Sequence, residues 1–341
     1  MDDFGYINAR IRAKKEGLLK RGDIEEMILS SDFGHFVEFL QKTDYGKEIG
    51  RGEINLERVV RGINTNFTKV INEVIGFSSG SPRRLLYILL SRFLVANVRA
   101  IVRGKMRGLA SEDIEMAIFP VLELDEPKLR ALISKEEPSE VFELLLSFRI
   151  SLPFIISSRL IRKLRERDID FVENYLERSY FEWAMLELGR EGDGNVEFVK
   201  YMLNSWADLK NIIGVCLYLK YNISPLGKIE LLPMGFLSEF QRKSLLGAQS
   251  LKEVSDVLSG TRYREFSKLI VEGNLLGFEK RFEEVLSLWA IKGFIRDPLS
   301  VAIPLAFIIA KYNEVVNLRI IAYGKYHGLE PHEIRKEVLF L

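Results

Sequence analysis

The residues able to do chemistry in this 341-residue chain are few and scattered. There are three histidines, His35, His327 and His332, and one cysteine, Cys216. His327 and His332 stand five residues apart across a predicted helix end. No H-E-x-x-H box or other paired metal-ligand spacing occurs. Cys216 lies in an apolar run and reads as a small core residue. A lone thiol excludes an internal disulfide framework and a cysteine-based metal site, and it fits a reducing compartment. Gly104-Lys105 and Gly324-Lys325 lack the G-x-x-x-x-G-K-[ST] frame. They also fall late in predicted helices, not at the N-terminus, where backbone N–H groups cradle phosphate. The glycines from Gly189 to Gly194 do not have dinucleotide-binding spacing, and no D-D-x-x-D pair is present. The letters G-x-S-x-G occur at Gly76-Phe77-Ser78-Ser79-Gly80, but between two predicted helices, so they make no strand–turn–helix elbow. The expectation is a protein with no catalytic centre, no metal and no cofactor.

What the sequence does carry is a repeated stretch. Asn97-Val98-Arg99-Ala100-Ile101-Val102-Arg103-Gly104-Lys105-Met106-Arg107-Gly108-Leu109 returns as Asn317-Leu318-Arg319-Ile320-Ile321-Ala322-Tyr323-Gly324-Lys325-Tyr326-His327-Gly328-Leu329. The shared pattern is N-x-R-x-I-x-x-G-K-x-x-G-L without gaps. On a helix, Asn97, Ile101, Gly104 and Gly108 share one face, as do Asn317, Ile321, Gly324 and Gly328. Glycine on such a stripe admits a close backbone neighbour. Lys105 and Lys325 fall in the last turn, where cations favour the negative helix end. Gly108 and Gly328 fit the left-handed position just past it, with Leu109 and Leu329 next in line for a contact back onto the helix. Two readings stand: a packing and helix-ending device, or a partner-binding element in which Arg99, Lys105, Arg319 and Lys325 make the contacts.

The elements around these stretches are helical throughout. Strand-like alternation bounded by turn pairs is hard to find, so the expected class is all-α. Asp32 reads as the cap of a short helix from Phe33 to Gln41, and Asn55 to Gly76 as a long amphipathic helix. Ser81-Pro82 reads as the start of the apolar helix that ends in the first motif. In the last third the order returns: a short helix before Gly260-Thr261-Arg262-Tyr263, an amphipathic helix from Leu275 to Lys292, then Asp297-Pro298 and the second motif. The displacements are 218 from Thr43 to Thr261, 216 from Pro82 to Pro298 and 220 from Asn97 to Asn317. Half of that leaves room for a third copy. Pro138 to Phe148, Arg167 to Leu188 and Val196 to Tyr221 fit it, with Asp208 in the place of Asn97 and Ile212 in that of Ile101. Such a period is too long for a solenoid, so three similar helical domains are expected at 1–112, 113–222 and 223–341.

Charge and hydropathy narrow the class further. The 49 basic and 48 acidic residues nearly cancel, which does not promise a nucleic-acid-binding surface. No secretory signal is visible. Leu85 to Val102 holds Arg92 and Arg99, and Leu299 to Ala310 is short and holds Pro304, so both read as helices buried in protein and not as membrane spans.

Tyr6-Ile7-Asn8-Ala9-Arg10-Ile11-Arg12-Ala13, Leu40-x-x-Thr43-x-Tyr45, Leu258-Ser259-Gly260-Thr261-x-Tyr263 and Asn317-Leu318-Arg319-x-Ile321 with Gly324-Lys325 follow one another along the chain. In that order they resemble the C subunit of the bacterial and archaeal V/A-type ATPases, which corresponds to the d subunit of the eukaryotic vacuolar enzyme. The resemblance implies a non-catalytic, funnel-shaped component of three helical domains about a pseudo-threefold axis, monomeric when isolated. It implies a place on the cytoplasmic face of the membrane, as a socket between the central stalk and the proteolipid rotor ring, passing torque for H⁺ or Na⁺ transport. The rival readings are a helical scaffold of another assembly, an all-α enzyme with a central cavity, and a helical RNA-binding protein.

Overall fold

The computed structural model describes residues 4–50, 54–189, 192–221, 230–295 and 297–341. Among them the protein is all-α, with no strand. The first third holds α1 (Phe4–Lys15), α2 (Arg21–Leu29), α3 (Phe33–Gln41), α4 (Gly46–Ile49), α5 (Leu56–Gly76), α6 (Gly80–Arg107) and α7 (Ser111–Ala117). The middle third holds α8 (Glu126–Ile133), α9 (Pro138–Ser147), α10 (Ser158–Arg165), α11 (Ile169–Leu188) and α12 (Gly194–Tyr221). The last third holds α13 (Glu239–Gly247), α14 (Leu251–Ser259), α15 (Ser267–Val271), α16 (Leu275–Ile291), α17 (Ala302–Tyr326) and α18 (Pro331–Glu337). Each third thus runs through a short helix (α3, α9, α14), an amphipathic one of 17 to 21 residues (α5, α11, α16) and an apolar one of 25 to 28 residues (α6, α12, α17).

Local chemistry sets the ends of these helices. Asp32 caps α3 by accepting the His35 N–H, and Asn55 caps α5 by accepting that of Arg58. Along α5, Val59, Val60, Ile63, Phe67, Ile71 and Val74 recur at helical spacing and are all buried. Two predicted starts move. Helix α6 begins at Gly80, after an extended Ser79, and not at a Ser81 cap. Gly80 adopts φ 55°, so the chain turns into the helix two residues earlier. Asp297-Pro298 opens no helix. Asp297 Oδ1 accepts the Leu299 N–H at 2.8 Å, and Asn8 Nδ2 donates to the Pro298 and Ser300 carbonyls, which holds a turn there. Helix α17 starts at Ala302. Pro82 and Pro304 then occupy the same third position of α6 and α17, where an N–H has no intrahelical partner.

Helix α6 is longer than the apolar run inside it. By length and composition it could cross a bilayer, contrary to the expectation from Leu85 to Val102 alone, but two-thirds of its apolar window is buried within the protein. It is a core helix.

The chain divides into two compact units, residues 1–187 with 290–341, and residues 188–289. In the first, α3 packs on α17 and α9 packs on α6; in the second, α14 packs on α12. The short helix of one third therefore lies on the long helix of another. That pattern explains why both unit boundaries fall inside a third instead of between thirds. The expected domain boundary at 222/223 lies outside the described residues, as do Arg190 and Glu191 of the glycine-rich loop.

Candidate functional site

The asparagine of the repeated motif is a clasp. Asn97 Nδ2 donates to the Phe119 carbonyl at 2.5 Å, while its Oδ1 accepts the Phe119 N–H at 2.9 Å. Asn317 makes the same pair with Leu339, at 2.8 and 2.9 Å. Both amides are buried, and each holds an extended segment that follows the short helix after the motif. The middle third has its own clasp, three residues beyond the expected place. Asn211 Nδ2 donates to the Leu232 carbonyl at 3.1 Å and Oδ1 accepts the Leu232 N–H at 2.7 Å. Asp208 could not do this, because a carboxylate only accepts. The clasp register also puts Val215, not Ile212, level with Ile101 and Ile321.

The motif glycines let the following helix close in. A Cβ on Gly104 would stand 2.5 Å from Ile114 of α7, and one on Gly324 would stand 2.5 Å from Ile334 of α18. Gly108 and Gly328 adopt φ 66° and 70°, and the Leu109 and Leu329 N–H groups close back onto the Gly104 and Gly324 carbonyls at 2.9 and 2.8 Å. The side chains of Leu109 and Leu329 remain about half exposed, so the expected contact back onto the helix is slight.

Three residues before the clasp asparagine, α17 and α12 carry a buried acid. Glu314 Oε1 accepts from the Tyr45 hydroxyl at 2.6 Å and from Lys311 Nζ at 2.7 Å, and its Oε2 accepts the Leu19 N–H. Asp208 Oδ2 accepts from the Tyr263 hydroxyl at 2.6 Å and from the Phe236 and Leu237 N–H groups. A Cβ on Gly235 (φ 125°) would stand 2.0 Å from Asp208 Oδ1, so glycine is required there. Burial raises the Asp208 carboxyl above the usual range even against these donors, and burial beside Asp208 raises the Tyr263 hydroxyl. Tyr45 is raised in the same way beside Glu314. Each tyrosine follows its short helix in the same turn: Thr43 and Thr261 donate to the Leu40 and Leu258 carbonyls and accept the Tyr45 and Tyr263 N–H groups. On α6 the corresponding position is Leu94, and after α9 the tyrosine position is Ile150.

The four candidate contact residues are placed unequally. Arg99 reaches Glu173 and Glu177 of α11 at 3.4 and 3.2 Å, beside Arg103, which pairs with the same Glu173. Burial raises the Glu173 carboxyl, but the Arg103 hydrogen bond and the two guanidinium charges outweigh it and leave Glu173 below its ordinary value. Arg319 is half-buried, lies over the Phe119 ring and donates to the Met116 carbonyl at 2.5 Å. Lys325 is buried and donates to the Ser30 carbonyl at 2.5 Å. Burial lowers the pKa of both cations. Lys105 alone of the four has no partner among the described residues.

No cluster of histidine, cysteine, aspartate or glutamate able to hold a metal occurs among the described residues. Cys216 is buried, and burial pushes its thiol up to about 12. Ser31, Asp32 and His35 do lie together, but serine and aspartate both meet Nδ1 of His35, which leaves no relay through the ring, and the group is exposed.

An all-α chain whose thirds repeat one asparagine clasp defines a helical repeat protein. Comparison with known proteins supplies the particular one. The family described as ATP synthase (C/AC39) subunit matches residues 7–337. The chain belongs to that family, whose members are structural and not catalytic subunits. It is 25% identical over 351 residues to the C subunit of the A-type ATP synthase of Methanocaldococcus jannaschii, covering 99% of this chain and 86% of that one. The corresponding A-type ATP synthase protein of Archaeoglobus fulgidus is 25% identical, over 99% of this chain and 96% of that one. That of Pyrococcus horikoshii is 26% identical, over 98% and 89%.

Proposed function

We propose that this chain is the socket of a rotary ATPase, joining the central stalk to the proteolipid ring and carrying torque between them for ATP-linked H⁺ or Na⁺ transport. The observation that supports it best is the contact of Tyr45 with Glu314, 269 residues apart in sequence. Through it the last third grips the first, as a head-to-tail ring of three repeats requires. In this reading the repeats at 1–112, 113–222 and 223–341 surround a pseudo-threefold axis and form a funnel, peripheral to the membrane on its cytoplasmic side. A socket that passes torque has to be stiff, and the asparagine clasps and buried acids supply stiffness at the joints. Because Arg99, Arg319 and Lys325 are engaged internally, Lys105 is, among the described residues, the one of the four candidate cations left to meet a partner.

The test is capture of the purified chain by the central-stalk proteins and, separately, by the detergent-solubilised rotor ring. A monomeric chain that binds both fits the socket. A chain that binds neither is a helical scaffold of some other assembly.

A further inference from the structure

One crossing of the repeat is longer than its counterparts. From Tyr45 to the start of α5 the first third uses 11 residues, and from Tyr263 to α16 the last third uses 12. The middle third uses 19 from Ile150 to α11, and where α4 has four residues and α15 five, α10 has eight and is preceded by a longer loop. Closing the repeat does not ask for the extra length, since the other two thirds make the same crossing with less.

The excursion is charged unlike the rest of the chain. Residues 149–171 hold six basic and three acidic side chains, against a net charge of +1 for all 341 residues. Helix α10 turns Leu160 and Leu164 inward and its arginines outward. Glu166 and Asp168 occupy Lys163, and Glu137 faces Arg167 at 3.6 Å; Asp170 lies in the first turn of α11. Arg149, Arg159 and Arg165 have no carboxylate partner among the described residues. Arg159 lies over the Phe171 ring, which stacks on Tyr175. The Tyr175 hydroxyl donates to the Ile155 carbonyl at 2.9 Å and so fixes the loop before α10, where the Ile155 side chain is 75% exposed.

We propose that this loop and α10 form a landing patch for the anionic surface of a lipid bilayer. Charge complementarity carries the assignment: unpaired arginines beside one outward aliphatic side chain suit phosphate headgroups with the isoleucine among them. Tyr175, stacked on Phe171, gives an amphipathic ring of the kind that settles at such a boundary. A protein partner would have to bring both a row of carboxylates and a pocket for Ile155. The proposal goes beyond the coupling role, and its assay needs neither stalk nor ring.

The test is flotation of the full chain with vesicles of equal parts phosphatidylglycerol and phosphatidylcholine, and with phosphatidylcholine alone. The chain is expected to bind the first and not the second, and to be released by salt. Each arginine near an anionic surface is worth about fivefold, so Arg159→Gln with Arg165→Gln should weaken binding about 30-fold. Ile155→Ser should weaken it by a smaller factor, and Lys252→Gln with Arg264→Gln should leave it unchanged. The proposal is overturned if the chain shows no preference for phosphatidylglycerol, or if the Lys252 and Arg264 pair matters as much as the Arg159 and Arg165 pair. It is also overturned if the Arg159 and Arg165 changes abolish stalk capture while vesicle binding stays. Loss of stalk and ring capture by the unmodified chain would instead sink the coupling role and leave the patch standing.

Discussion

Tyr45 and Tyr263 each donate to a carboxylate buried in a neighbouring third, Glu314 and Asp208, whereas between α6 and α9 the same positions hold Leu94 and Ile150. Both partners are apolar there, so no buried acid is left without a donor. That joint is held elsewhere, by Arg99 and Arg103 of α6 on Glu173 and Glu177 of α11 and by the Tyr180 hydroxyl on the Ile88 carbonyl. One repeat thus uses two kinds of joint. The buried kind is hard to break and insensitive to salt. The charged kind is partly exposed, so solvent and ions screen it and it is weaker and tunable.

The largest effect should come from the buried joint. Glu314→Ala strands Lys311, whose side chain is only 5% exposed, and leaves Tyr45 without an acceptor. A loss of about 4 kcal/mol of stability is expected from denaturant midpoints, since breaking a buried pair costs about 3–5 kcal/mol. Replacing both, Lys311→Met with Glu314→Leu, should recover most of it. Should the single change cost less than about 1 kcal/mol, the buried pair is not what holds this joint.

The clasps come next. Asn97→Ala leaves the Phe119 N–H and carbonyl unpaired in a buried site, at about 1–3 kcal/mol for each group. Asn211→Ala and Asn317→Ala should each cost a similar amount, about 3 kcal/mol, if the three clasps are one device. Asn97→Asp should be no better than alanine, because the carboxylate cannot donate to the Phe119 carbonyl. A clasp that tolerates aspartate would separate that third from the others.

Gly104→Ala and Gly324→Ala offer a like-for-like comparison between the first and last thirds. Each new methyl would meet an isoleucine at 2.5 Å, so both should lose about 2 kcal/mol, the usual cost of overpacking. Ile114→Ala and Ile334→Ala should relieve the matching variant and not the other one. Unequal losses would show that α7 and α18 yield differently.

Much of this is legible in the sequence. Apolar spacing marks the three long helices and the three amphipathic ones, because burial on one face forces a 3.6-residue period whatever the neighbours are. Gly108 and Gly328 announce the helix ends for a reason contained in the backbone. The middle clasp is not legible. Asn211 lies in Asn211-Ile212-Ile213-Gly214-Val215, without the arginine or the glycine-lysine pair, and its partner Leu232 lies in an extended segment with no signature. Asp208 resembles a worn asparagine, although it occupies the acid position of Glu314. Nor does the sequence sort the cations. Whether Lys325 meets solvent or the Ser30 carbonyl depends on a residue 295 positions away.

The smallest effects belong to the charged, partly exposed joint, and there pH separates the two kinds. Glu173 is held below its ordinary 4.5, so its contribution is fully present above 4.5 and is lost as pH falls through the depressed folded value. Asp208 is raised above 3.8, so its titration favours the fold below 3.8 and disfavours it as pH rises through the raised value. Acidification should therefore shrink the stability gap between the native chain and Glu173→Gln, while widening the gap to Asp208→Ala. Salt should act on the first gap alone, removing part of roughly 1 kcal/mol. Thermal unfolding of the three proteins across pH, at low and high salt, measures all four trends. If both gaps moved together, α6 and α11 would be joined by packing, with the arginines and glutamates as onlookers, and the distinction between the joints would reduce to Tyr45 and Tyr263.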